Sequence, residues 1–206
     1  MNIRKHFITV MTHKYHVCRG CFKIGLYRQG ILHDLSKFSP SEFLIGVRYY
    51  QGNRSPNNAE REDVGYSSSW LHHKGRNKHH YEYWLDYSVK NIEGGMLPAP
   101  MPVVYILEML MDRIAASKVY AKDSYTQHNP MEYYRPSAGE CPLHPKTREI
   151  LELLLEVLDR YGEEELFSFI RRSIMSRKGE WDDPQRWPVL VRKSRRHYRL
   201  ERSCTH

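Results

Sequence analysis

The chain of 206 residues has no apolar run near the roughly 18 residues that a membrane helix needs. Its first residues, Met1 to Lys5 and the mixed stretch after them, lack the uninterrupted apolar segment of a signal peptide, so a cytoplasmic location without membrane contact is expected. Cysteine is scarce: Cys18, Cys21, Cys141 and Cys204 make no dense disulfide framework. Cys18 and Cys21 form a lone C-x-x-C on one face of an expected helix, with no second close pair to complete a zinc site, which suits buried free thiols. There is no internal repeat, no low-complexity block and no alternating strand pattern. Disorder is also excluded, because 40% hydrophobic residues and four Trp can fill a core. A chain this long suits one domain over 1–206.

What is present is helical periodicity and an excess of positive charge. Ile3, Phe7, Val10, Val17, Cys21, Ile24 and Leu26 recur at near-helical spacing over 3–29, giving one or two helices before Gly30. Ser39-Pro40-Ser41-Glu42 reads as a helix start, with Ser39 as N-cap, Pro40 in the first turn and Glu42 closing a capping box. That helix runs through Phe43, Leu44, Val47 and Tyr50, and Gly52 to Asn58 is a loop by composition. Helices are expected over 59–74 and from Tyr81 to Ile92, with a loop at Gly94-Gly95 and the prolines from 98 to 102. The strongest pattern starts near Pro102, where Val103, Ile106, Leu107, Leu110, Met111, Ile114 and Ala115 follow i, i+3, i+4 spacing. Residues 123–145 read as a polar surface excursion, and 146–161 and 163–176 as two more amphipathic helices. The fold class is therefore all-α.

The formal net charge of +8 makes phosphate esters, nucleotides and nucleic acid plausible partners. The excess sits late, in Arg171-Arg172, Arg177-Lys178 and Arg192 to Arg202, a basic C-terminal tail that is either a solvated surface or a polyanion contact.

The most informative residues are His33-Asp34-Leu35-Ser36-Lys37 and the run from His72 to His80. An adjacent His-Asp pair offers a ring nitrogen and a carboxylate able to bridge two cations. His72, His73, His79 and His80, around Lys74-Gly75-Arg76-Asn77-Lys78, can fill out a coordination shell. Imidazole and carboxylate are natural ligands for Mn, Fe, Co, Ni or Zn at neutral pH. His13 and His16 lie one turn apart on the first helix, and either can turn towards the pair. Asp112 lies in the apolar stretch Met109-Leu110-Met111-Asp112-Arg113-Ile114, where a carboxylate must bind a metal or pair with a cation such as Arg113 or Lys118. The joint occurrence of these groups in a helical chain points to a metal-dependent hydrolase.

The order His, His-Asp, His, His-His, then Asp on a late helix resembles the HD-domain superfamily of metal-dependent phosphohydrolases. Gly30-Ile31-Leu32-His33-Asp34-Leu35-Ser36-Lys37 is similar to that superfamily's apolar lead-in and His-Asp-x-x-Lys signature. Trp70 to His80, His13-Lys14 and Met111 to Ser117 resemble a smaller bacterial and phage group within it, and the likeness covers about residues 8 to 120. It implies an HD-like helical bundle with additional C-terminal helices over 146–206. It also implies two divalent cations: His13, favoured over His16, with His33, Asp34 and Asp112 would hold one, and Asp34, His73 and one or both of His79 and His80 the other. His72 fits the spacing least well.

On the same resemblance, Asp34 and Lys37 would be catalytic, with Lys37 acting on the phosphate or leaving group. Lys37, Lys74, Arg76 and Asn77 would contact a phosphorylated small molecule or nucleotide, or Asn77 would support a histidine. The Gly-Tyr-Pro motif of cyclic-dinucleotide phosphodiesterases is absent, which argues against that substrate. Two other readings fit the same residues. One is a di-iron oxygenase of the same superfamily. The other is a non-catalytic protein that binds nucleic acid through its basic tail, with a closed structural zinc site, for instance on His13, His16, Cys18 and Cys21.

Overall fold

A computed structural model describes residues 2–89 and 95–200. The fold is all-α, with one small two-stranded sheet among the described residues. Its centre is the pair α1 (Ile3–Ile24) and α6 (Val103–Ala121), which pack along their lengths. The sequence pattern in α6 is apolar nearly all round, and the reason is its position: Ile106, Leu107, Leu110, Met111 and Ile114 are buried between α1 and α8 (Pro145–Phe169). Its N-terminus is capped from a distance, because Asp182 of α9 (Lys178–Asp182) accepts from the Val103 amide at 2.8 Å. On the far side α8 contributes Ile150, Leu151, Leu154 and Leu158, and α10 (Trp187–His197) lays Leu190 and Val191 against it. A single hydrophobic cluster runs from Val17 to Leu200.

Helix α1 ends at Gly25, whose φ of 83° is the left-handed C-cap that glycine adopts without strain. The chain then folds back as α2 (Tyr27–Leu32). Gly30 is required there: a Cβ would stand 2.9 Å from the Cys21 Cβ and 3.3 Å from the Cys18 backbone. Two short helices, α3 (Pro40–Arg48) and α5 (Ser68–Lys74), pack side by side beyond it.

Several sequence expectations are corrected. The helix expected over 59–74 is two, because α4 (Pro56–Val64) ends at Gly65 (φ 83°) and Ser67 opens α5 by accepting from the Trp70 amide. Buried Glu60 holds the corner, accepting from the hydroxyls of Ser67, Ser68 and Ser69. α4 also begins inside the expected loop, at Pro56.

The helix expected from Tyr81 to Ile92 is one tight turn followed by β1 (Leu85–Tyr87), with 90–92 outside the described residues. β1 pairs antiparallel with β2 (Met96–Pro98), Leu85 opposite Pro98 and Tyr87 opposite Met96. Aromatic-rich Tyr81–Tyr87 suits a pleated edge better than a helix once a partner strand is supplied. The stretch 123–145 is not a surface excursion throughout: α7 (Asn129–Tyr134) buries Pro130, Met131 and Tyr134, whose hydroxyl donates to Glu152 at 3.0 Å. The break expected between 161 and 163 is present within α8, where Gly162 leaves helical geometry at φ 83°, ψ 177°.

Candidate metal centre

Residues far apart in sequence meet where α1, α6, the end of α2 and the α5 region converge. His13 comes from α1 and Asp112 from α6. His33 terminates α2, and Asp34 follows in a left-handed conformation (φ 54°, ψ 29°), unusual for a residue with a side chain. Lys14 fixes this bend by donating to the carbonyls of Ile31 (2.8 Å) and His33 (2.7 Å). His73 lies on α5, and the polar turn after α5 delivers His79 and His80.

The two oxygens of Asp34 face different histidines. Oδ2 is 3.2 Å from His33 Nε2 and 3.9 Å from His13 Nε2. Asp112 Oδ1 closes this half at 2.9 Å from His13 Nε2 and 3.4 Å from His33 Nε2. Oδ1 of Asp34 is 3.3 Å from His73 Nε2 and 3.4 Å from His79 Nε2, with His80 beside them. Thus His13, His33, Asp34 and Asp112 form one set whose donor atoms all lie within 4.8 Å of one another, and Asp34, His73, His79 and His80 form a second.

Behind the donors stand two glutamates that the sequence reading did not single out as site residues. Glu108 lies one turn before Asp112 on α6, and its Oε1 accepts from His33 Nδ1 at 3.0 Å and from His79 Nδ1 at 3.1 Å. Glu42 accepts from His73 Nδ1 at 2.7 Å and from His72 Nδ1 at 2.6 Å. Such carboxylates fix the Nδ1–H tautomer and aim the Nε2 lone pair inward, as they do behind metal-bound histidines. The expected capping box is therefore not formed: Ser39 makes no side-chain cap, and Glu42 turns inward to the histidines. Glu108 had a legible signal, an acid at i−4 from Asp112 in an otherwise apolar helix.

The electrostatics keep the carboxylates ionised and split the histidines. Burial opposes the charge on His33 and His73, yet Asp34 and the other carboxylates hold both above the ordinary histidine range, so a cation would displace a proton from each. Burial opposes the charge on Asp34, yet His33, Lys37 and His73 hold its carboxyl well below the usual range. Burial likewise opposes Asp112, and the hydrogen bonds from His13 and His33 pull it well down. His80 is pushed far below an ordinary histidine by burial and by the neighbouring His79 and His73. Burial and Lys37 also lower His13.

A cation fits this donor set. His33 Nε2, Asp34 Oδ1, His79 Nε2 and His80 Nε2 are buried and make no hydrogen bond, while Asp34 Oδ2 has the Lys37 ammonium at 2.6 Å. Leaving these four atoms unsatisfied in one place would cost about 1–3 kcal/mol each, and metal coordination would satisfy all of them together.

The other expected residues take varied places. Lys37 Nζ is 2.6 Å from Asp34 Oδ2, and its side chain keeps 30% exposure at the rim. Asn77 donates to Ser36 Oγ and to the His73 carbonyl, both at 2.8 Å, so it braces the His73 segment. Arg76 is exposed and donates to the His72 carbonyl at the end of α5, while Lys74 is half-buried on that helix's last turn. His72 joins neither donor set.

Asp112 does not pair with Arg113 or Lys118. Arg113 lies over the Tyr134 ring, and Lys118 bonds Glu163. The alternative zinc site on His13, His16, Cys18 and Cys21 does not form either. Among the described residues no candidate donor set contains a cysteine, Cys21 packs in the core, and His16 faces away from His13's partners. Cys18, Cys21 and Cys141 are free thiols, Cys21 buried and the other two half-buried, and Cys204 lies outside the described residues.

The molecule is thus an all-helical protein with a buried histidine–carboxylate centre able to hold metal. Residues 2–157 match the family of unknown function DUF5662, and the chain belongs to that family. No curated protein and no solved structure matches it. No helix among the described residues is long and apolar enough to cross a membrane.

Proposed function

We propose that this protein is a metal-dependent phosphohydrolase of HD type, holding two divalent cations and acting on a phosphomonoester or phosphodiester of nucleotide-like character. The observation that carries the reading is the placement of Asp34, one buried carboxylate whose two oxygens face two separate sets of histidines. Divalent cations bound there would supply a water acidified towards neutrality and a Lewis acid for phosphate oxygens.

The chain's own residues supply the rest. Glu108 and Glu42 hold the imidazoles with their Nε2 atoms inward. Asp112 and Lys37 are the more exposed members of the centre, at 18% and 30% of their side chains, so substrate would enter over the Asp112–Lys37 side. Lys37 carries its proton firmly: desolvation works against it, but Asp34 and Asp112 hold it above the ordinary lysine range. Its ammonium would bind a phosphate oxygen and offset charge as it builds in the transition state.

The test is the purified full chain, reconstituted in turn with Mn, Fe, Co, Ni and Zn, assayed for phosphate release from nucleoside monophosphates, cyclic nucleotides and a generic phosphodiester. Metal-dependent release that is lost in Asp34→Ala, with the helical circular dichroism retained, is the expected result. Oxygen uptake by an iron-loaded sample without phosphate release would overturn it in favour of oxidative chemistry.

A further inference from the structure

Where α1 and α6 meet the part of α8 beyond Gly162 is a cavity of ≈ 170 Å³, lined by none of the residues of the metal centre. The kink at Gly162 makes it. A Cβ there would lie 2.8 Å from Gln127 Oε1, and Gln127 donates to the Asp159 carbonyl at 2.9 Å. The break re-aims the following turns, so that Glu163 and Phe167 face α1 and α6.

The charge in this cavity is one-sided. His16, Arg19 and Lys23 project from one face of α1, at i, i+3 and i+7, and Lys118 joins them from α6. Glu163 is the one acid in the lining, and it is engaged already: Lys118 Nζ lies 2.6 Å from its Oε1, which also accepts from the Tyr125 hydroxyl at 2.8 Å. Three permanent cations against one carboxylate leave two positive charges in excess. Among the described residues Arg19 makes no ion pair, and Lys23 has only the Phe167 ring, 5.2 Å from its Nζ. The floor is apolar, formed by Met111, Ile114 and Phe167.

We propose that this cavity is a binding site for a phosphate monoester dianion carrying a small planar or apolar group, separate from the metal centre. The excess of two charges matches a dianion. An arginine fork and an ammonium are donors suited to phosphate oxygens. The volume is about that of a cavity known to accept a benzene ring, so the ester group would be small and would rest on Met111 and Phe167. The repulsion already present supports the same reading: burial, Lys118 and Arg19 depress the His16 imidazole, and an anion would relieve that field. No donor of either metal set lines the cavity, although His13 and Asp112 sit on the same two helices.

The experiment is calorimetric titration of the full chain, stripped of metal with chelator, using phenyl phosphate, inorganic phosphate and succinate. Phenyl phosphate is expected to bind one to one and tighter than either of the others. The double variant Arg19→Ala with Lys23→Ala changes two exposed side chains, so its urea midpoint should stay near wild type while the phenyl phosphate Kd rises about tenfold or more. Asp34→Ala should leave that Kd unchanged. Four results would overturn the proposal: no binding, an unchanged Kd in the double variant, tighter binding of succinate, or loss of binding in Asp34→Ala, which would place the anion at the histidine–carboxylate centre. Because the titration is done without metal, its failure leaves the phosphohydrolase reading untouched, and the converse also holds.

Discussion

The two halves of the histidine–carboxylate centre share Asp34 but are built differently. The half with His13 and Asp112 stands on the two longest-packed helices, α1 and α6, and is partly open, with 18% of the Asp112 side chain exposed. The half with His73, His79 and His80 stands on the seven-residue α5 and a turn, yet His73 and His79 are at 3% and 1% and His80, half-buried as a residue, has its Nε2 buried. Rigidity from long helices allows one half to face solvent. The other half rests on short elements and is closed by packing, with His80 wedged against His73, His79 and the Trp70 ring. On the proposed function, the open half would be the one that exchanges with substrate and the closed half the one that retains its ion.

The contrast can be broken most severely at the shared residue. Asp34→Ala should remove both cations together, taking bound metal measured by plasma mass spectrometry from about two equivalents to near zero. One ion retained at full affinity would show that the halves are independent.

Next in size, Glu108→Gln should weaken metal binding in both halves, because Glu108 holds His33 on one side and His79 on the other. A loss of about 10–100-fold in affinity is expected for such a supporting carboxylate, read as two weakened steps in a metal titration. Glu42→Gln sharpens the comparison, since His73 and His72 are the histidines that Glu42 holds and it touches no donor of the other half. It should weaken one step by about tenfold and leave the other in place.

The smallest expected effect tests the short elements themselves. Gly65 separates α4 from α5 at φ 83°, with nothing within 4 Å of where a Cβ would go. Gly65→Ala should therefore cost only the backbone strain of about 1–2 kcal/mol, seen as a lower urea midpoint, with no loss of metal once the protein is folded.

Much of this arrangement was legible in the sequence because α6 and α1 are strongly periodic and because His33-Asp34, the histidine run and Asp112 stand out by chemistry. His13 and His16 could not be separated by spacing alone. Their separation is a matter of which face of α1 meets α6: His13 Nε2 lies 2.9 Å from Asp112 Oδ1, and His16 joins no donor set. Glu42 was hidden by a competing local explanation, since an acid three residues after Ser39 fits a capping box equally well. The α4–α5 corner was missed because Glu60 and three serines, an arrangement of side chains across a turn, outweigh the run of helix formers. The β1–β2 pair was missed because three-residue strands carry too few alternations to register.

The clamp of Lys14 on the Ile31 and His33 carbonyls has one more consequence. It locks the awkward corner at Asp34 from the protein side alone, so this part of the cage does not need an ion to hold its shape. Metal loading should then resemble the filling of a finished vessel, with an uptake rate that follows access at the Asp112 rim and no accompanying gain in helix content.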